Sequence, residues 1–230
     1  MSKQLPLDFK HRSNQSFDDY FSGENEEVVS HLKQCSDKKG EPFIFVWGPS
    51  GTGKTHLLQA CCQQTAQTGD NTFYLELKSG QLPDPSILEG LEDLALVCID
   101  NIHLLHETQQ HQEHYFNFFN RITEQGNHLI ISANCLPTQL NIPLTDLKTR
   151  FNWGLTLKLE RLSDANLMVA LSHKAHRMGF DISPQAATFI LSRYTRELTD
   201  FWALLNILDH ATLSAQRKVT VPFLKETLNL

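Results

Sequence analysis

The chain has 230 residues, 40% of them hydrophobic and 20% charged, with a net charge of −6. That is long and apolar enough to bury a core without disulfides or a structural metal, and it excludes a disordered or fibrous chain. The longest apolar runs, Phe43–Trp47 and Leu94–Ile99, fall far short of the roughly 18–20 residues of a membrane span, so no membrane partner is expected.

Met1–Phe9 lacks the apolar stretch of a secretory leader. The chain has five Cys and no Cys-x-x-Cys pair, and Cys61, Cys62 and Cys98 lie inside apolar segments. This pattern reads as reduced thiols in a cytoplasm. Residues 1–150 carry 11 Lys+Arg against 19 Asp+Glu, and residues 151–230 carry 9 against 7. Neither part is basic enough to neutralise a run of phosphates, so any work on DNA is expected to pass through a partner.

In chain order, residues 1–16 read as a flexible polar tail. Short apolar runs then alternate with helical stretches. Phe43–Trp47, Thr72–Leu77, Leu94–Asp100, His128–Ala133 and Leu155–Leu159 read as strands, with helices at about 55–68 and 110–125. Continuous apolar runs separated by helices predict an α/β domain over 17–160, a parallel sheet covered on both faces. Beyond Leu159 only helices are expected, forming a small all-α domain over 161–230. Ser163 caps the first, which Gly179 ends, with Met168, Leu171, Ala175 and Met178 as its stripe. Pro184 opens the second, lined by Ala187, Ile190, Leu191 and Tyr194. The third carries Phe201, Leu204, Leu205 and Leu208, and a short fourth begins near Pro222.

Gly48, Pro49, Ser50, Gly51, Thr52, Gly53, Lys54 and Thr55 fit G-x-x-x-x-G-K-[ST] between a strand and a helix, followed by His56. Glycines let the backbone curl so that N–H groups and the helix N-terminus face phosphates. Lys54 is then expected on the β- and γ-phosphates and Thr55 on Mg²⁺. Asp100 ends an apolar strand, where a parallel sheet presents its ligand edge, and is the expected second holder of that metal. Asn101 follows it, and an amide cannot act as a general base. Asn134 ends the next strand, a position from which an amide could reach a phosphate or a water.

These residues together resemble the AAA+ family over about 17–230 and, within it, the DnaA initiator family and its Hda subfamily. Phe17, Tyr20 and Asn25 resemble the segment covering the adenine, and Asn134 the sensor-1 position. Arg150 resembles the arginine finger, and Arg196 the sensor-2 arginine. Asn101 stands where DnaA has a second Asp, a departure that weakens the expectation of vigorous intrinsic hydrolysis. The sequence ends at Leu230 without a basic helix-turn-helix domain. Gln4, Leu5, Leu7 and Phe9 resemble the motif that bacterial replication proteins insert into the sliding clamp. An extended segment of this kind offers two apolar anchors and one amide.

The resemblance implies a cytoplasmic protein holding ADP or ATP with Mg²⁺ and tethered to the β sliding clamp of DNA polymerase III. It further implies contact with DNA only through the clamp, and it accommodates a homo-oligomer. Arg150 would act in trans, promoting hydrolysis of DnaA-bound ATP and so preventing re-initiation. Two other readings stay open: a self-contained ATPase, and a non-catalytic adaptor for initiator or helicase loading. His103, His106, His111 and His114 lie in a polar, Gln-rich stretch and read as solvated surface rather than metal ligands. Trp47, Trp153 and Trp202 are scattered and form no stacking platform for bases.

Overall fold

The computed structural model describes residues 15–107, 109–193, 198–215 and 219–227. Gln4, Leu5, Leu7 and Phe9 of the clamp-like motif, together with Tyr194 and Arg196, lie outside the described residues.

Five parallel strands form one sheet in the order β2-β3-β4-β1-β5. They are β1 (Phe43–Trp47), β2 (Thr72–Glu76), β3 (Leu96–Asp100), β4 (His128–Ala133) and β5 (Leu155–Lys158). The period-two alternation of strand side chains divides the apolar runs between two layers. Phe43, Phe45, Val97, Ile99, Leu129 and Ile131 face one core. Ile44, Val46, Leu96, Cys98 and Ile130 face the other. This is why the strands show no polar alternation in sequence.

The first layer is closed by α3 (Gln109–Gln125) and α4 (Thr145–Phe151). Tyr115, Phe118, Phe119 and Ile122 of α3 recur at helical spacing, and Leu147 and Phe151 of α4 join them. The second layer holds α1 (Glu26–Ser36) and α2 (Lys54–Gln67). Cys35, Cys61, Cys62 and Cys98 are buried there. Burial pushes the Cys35 thiol up to about 12 and raises those of Cys61 and Cys98, so these three stay protonated and pack as apolar groups.

The predicted strands and long helices are present, with shifted ends. β3 begins at Leu96 because Leu91–Asp93 first makes a 3-10 turn. α1 and α4 were not among the predicted elements: α4 is a single short repeat, whereas α1 carries Val28, Val29, Leu32 and Cys35 at helical spacing, a signal that was missed. The helical domain comprises α5 (Asp164–Arg177), α6 (Pro184–Arg193), α7 (Leu198–Ala215) and α8 (Val221–Thr227). Ser163 caps α5 by accepting from the Asn166 N–H. Its packed face is Leu167, Ala170, Leu171 and Ala175, with Met168 and Met178 at the margin. Phe201, Leu204, Leu205 and Leu208 of α7 complete this third core.

Residues 16–25 strap the two parts together. Asn25 is 1% exposed; its amide donates to the Glu160 carbonyl at 3.0 Å and accepts from the Glu160 N–H at 2.8 Å. Asp19 meets Arg177 at 2.8 Å and Lys174 at 3.7 Å, both on α5. Burial opposes ionisation of Asp19, but the Ser16 hydroxyl and then Lys174 and Arg177 outweigh it and hold the carboxyl below the ordinary aspartate range. A depressed pKa contributes stability above the unfolded value and loses it as pH falls through the folded one. Asp19→Asn is therefore expected to cost about 1 kcal/mol at neutral pH. The thermal-unfolding curves of the two proteins should converge below about pH 4. A gap that persists at pH 2 would show that the strap is not held by charge.

Candidate nucleotide site at the C-terminal edge of the sheet

Parallel strands end at one edge, and here β1, β3 and β4 deliver Gly48, Asp100 and Asn134 to it. The loop after β1 is shaped by glycine. Gly51 and Gly53 have φ of 77° and 93°. Gly48 passes so close to the next segment that an added Cβ would lie 2.4 Å from the Leu159 carbonyl oxygen. A Cβ on Gly53 would lie 2.5 Å from the Tyr20 ring. Thr52 Oγ1 donates to the Pro49 carbonyl at 3.0 Å, closing the turn.

Lys54 opens α2 and is only 8% exposed. Its ammonium donates to the Gly48 and Pro49 carbonyls at 2.7 and 2.8 Å. Burial pulls its pKa down, and the Asp100 carboxylate opposes this. Thr55 Oγ1 donates to Asp100 Oδ2 at 2.6 Å, joining the two residues expected to hold a metal although 45 positions separate them.

Asp100 is fully buried and held from two further sides. The Tyr74 hydroxyl donates to Oδ2 at 2.9 Å, and the Ser132 hydroxyl donates to Oδ1 in a short contact. Burial first, and then the Asp100 charge, raise the Tyr74 phenol far above its ordinary value, so it stays a donor. Sequence reasoning missed Tyr74 and Ser132. The available signal was a hydroxyl inside each of two apolar strands, since such a group must find a partner when buried.

Asn101 adopts φ 63°, a left-handed conformation that asparagine tolerates. Its N–H donates to Ser132 Oγ at 3.0 Å, and its amide reaches the Leu77 carbonyl at 3.4 Å. Asn134 lies just past β4 and is exposed. His103, on the following 3-10 turn, has its pKa pulled down by burial and then by the charge of Lys54, with Asp100 opposing. Among the described residues no group of three His, Cys, Asp or Glu is placed to hold a metal.

The strap covers one side of the loop. The Tyr20 hydroxyl donates to the Thr52 carbonyl at 3.0 Å, and the Asn25 amide reaches that hydroxyl at 3.4 Å. His56 Nε2 donates to the Ser16 carbonyl at 2.8 Å, with its ring 5.6 Å from that of Tyr20. Phe17 is buried in the α1–α2 core beside Lys33, so Tyr20 rather than Phe17 is the aromatic ring against the loop.

Arg150 lies elsewhere. It sits in the last turn of α4, ahead of β5, and Gly154 presses against Phe43 at the start of β1. The length of β1, roughly 13 Å at 3.3 Å per residue, therefore separates this corner from the loop after Trp47. Arg150 stacks on Trp153, its guanidinium carbon 3.8 Å from the ring centroid.

The sequence matches the family model for the bacterial DnaA ATPase domain over residues 12–82 and 85–158. Residues 164–228 match that for the lid domain of Hda. The fold is similar to domain III of the replication initiation protein DnaA from Thermotoga maritima, with a TM-score of 0.79 and 19% identity over 94% of this chain and 96% of that one. It is also similar to AMPPCP-bound DnaA from Aquifex aeolicus, with a TM-score of 0.73 and 18% identity over 85% and 64%. The Thermotoga maritima RuvB Holliday junction branch migration motor matches with a TM-score of 0.70 and 18% identity over 94% and 71%. At these identities the likeness to solved structures is one of fold.

Proposed function

The chain belongs to the family of the bacterial DnaA ATPase domain, and on that premise we propose that it is an AAA+ regulator that inactivates a DnaA initiator by promoting hydrolysis of the initiator's ATP. The observation that carries this reading is the distance of Arg150 from its own P-loop. Arg150 lies on the helix that leads into the corner beside Phe43, at the end of β1 opposite the P-loop, a position suited to the nucleotide of another molecule.

The chain's own site fits a nucleotide diphosphate with Mg²⁺. The glycine cradle leaves no room for side chains where backbone N–H groups must approach an anion. The buried Lys54 ammonium donates to two neutral carbonyls, at the loop that would hold a phosphate. Thr55 and Asp100 present hydroxyl and carboxylate oxygens together, the donor set of a magnesium site. Mg²⁺ there would neutralise phosphate charge. Tyr20 closes the loop from the strap and Asn25 anchors the strap; Arg196 is assigned to the nucleotide by the resemblance alone.

This ligand is structural rather than consumed. Asn101 supplies no general base, and its amide is turned toward Leu77. The purified protein is expected to retain ADP and to turn over ATP more slowly than ~1 s⁻¹, below an ordinary working enzyme. Steady-state phosphate release measures this, and a rate well above that value would favour a self-contained ATPase.

Residues 1–16 supply the tether, with Gln4, Leu5, Leu7 and Phe9 engaging the sliding clamp. Tethering raises the local concentration of a weak encounter with DnaA, so neither contact need be tight alone. This arrangement gives an acidic chain access to DNA-bound machinery without contacting DNA itself.

A further inference from the structure

The corner that carries Arg150 has one more feature. Trp153 is 61% exposed, one of few large apolar side chains left in solvent among the described residues. An exposed indole three residues from a functional arginine is either a docking contact or a support. The geometry distinguishes them. The guanidinium carbon stands 3.8 Å from the Trp153 ring centroid, in face contact, and 5.7 Å from that of Phe116 on α3. An arginine is thus cradled between two aromatic rings.

The main chain that carries the indole is fixed. The Trp153 backbone N–H donates to the Arg150 carbonyl at 3.0 Å, closing the last turn of α4. The next residue must be glycine, because a Cβ on Gly154 would lie 2.3 Å from the Phe43 carbonyl oxygen. The backbone from Arg150 to Gly154 is therefore clamped between α4 and β1. A flexible side chain loses rotamer freedom when it is immobilised on binding, and prior stacking removes part of that cost. The indole face also leaves the edge of the guanidinium, where the N–H donors lie, free to meet phosphoryl oxygens.

We propose that Trp153 is a positioning residue for the arginine finger: it holds the Arg150 guanidinium flat and outward before the initiator docks. This rests on the proposed role of Arg150 in trans. Two measurements separate its failure from that of the underlying reading. The first is the stack itself, read in the free protein by NMR. Ring-current shielding should move the Arg150 Hδ resonances upfield, and Trp153→Ala should abolish that shift. An unshifted Arg150 would overturn the proposal whatever Arg150 does.

The second is hydrolysis of DnaA-bound ATP on DNA-loaded clamp. Trp153→Ala should lower the maximal rate by about two- to fivefold if the pair stays wet, and by about thirtyfold if docking desolvates it. The concentration for half-maximal effect should barely change. Trp153→Phe should restore most of the rate, and Trp153→Ala should have no further effect in an Arg150→Ala background. A change only in the half-maximal concentration would make the indole a docking contact and overturn the proposal. A shifted Arg150 whose alanine variant still stimulates fully would instead overturn the reading of Arg150, and the positioning role with it.

Discussion

Replacing Arg150 with alanine is expected to remove the stimulation of DnaA-bound ATP hydrolysis, a loss of about 10³–10⁵-fold if the guanidinium acts like other arginine fingers. The charge that builds on the transferred phosphoryl group needs a rigid donor at the moment of bond exchange. On the proposed reading the partner would supply the P-loop, the metal and the water, and Arg150 the missing cation. The substitution should leave the fold intact. Arg150 is at the end of a seven-residue helix, and its ring contacts are with Trp153 and Phe116 at the surface of the first core. Stability should change by about 1 kcal/mol or less. Arg150→Lys should fail largely as well, because an ammonium neither forms a planar fork nor stacks equally on an indole. The measurement is conversion of DnaA-bound ATP to ADP, alongside thermal unfolding and ADP binding. Equal rates for wild type and Arg150→Ala would make Arg150 a surface arginine and favour the adaptor reading.

The second large effect concerns the tail. Gln4→Ala combined with Leu7→Ala and Phe9→Ala should abolish clamp binding. Each apolar anchor is worth ~1.5–3 kcal/mol of burial. Losing both corresponds to an affinity loss of about 10²–10⁴-fold at 1.4 kcal/mol per decade. The packed cores of the described residues run from Phe17 to Leu224, so melting temperature and ADP binding should be unchanged. Binding to immobilised clamp checks the first expectation and calorimetry the second. Undiminished clamp binding would remove the tether from the account.

Much of the fold was legible because its signals are local. Apolar runs such as Phe43–Trp47, too short for a helix and bounded by glycine, suit strands buried on both faces, and the glycine-rich loop that follows has a geometry dictated by its own residues. The helix least visible in sequence was α4. Leu147 and Phe151 make a single helical repeat, too short to separate from a turn. The register of the site was partly legible as well. Asp100 could be assigned to the sheet's ligand edge from topology alone. The contacts that fix its carboxylate depend on strand order, which brings Tyr74 of β2 and Ser132 of β4 to either side of β3, and no local pattern encodes that. The strap shows the same divide. Tyr20 and Asn25 could be named from resemblance, but the bonds from Asn25 to Glu160 span 135 positions and exist only once the sheet brings the chain leaving β5 beside the strap.

The central claim is action in trans, and one measurement tests it most directly. ATP-bound DnaA is mixed with the full chain, first with clamp loaded on DNA and then with each component omitted, and the DnaA-bound nucleotide is followed with time. The account predicts that ADP accumulates rapidly only when the chain and loaded clamp are both present. ATP that persists on DnaA in the complete mixture, with the chain folded and bound to the clamp, would contradict it.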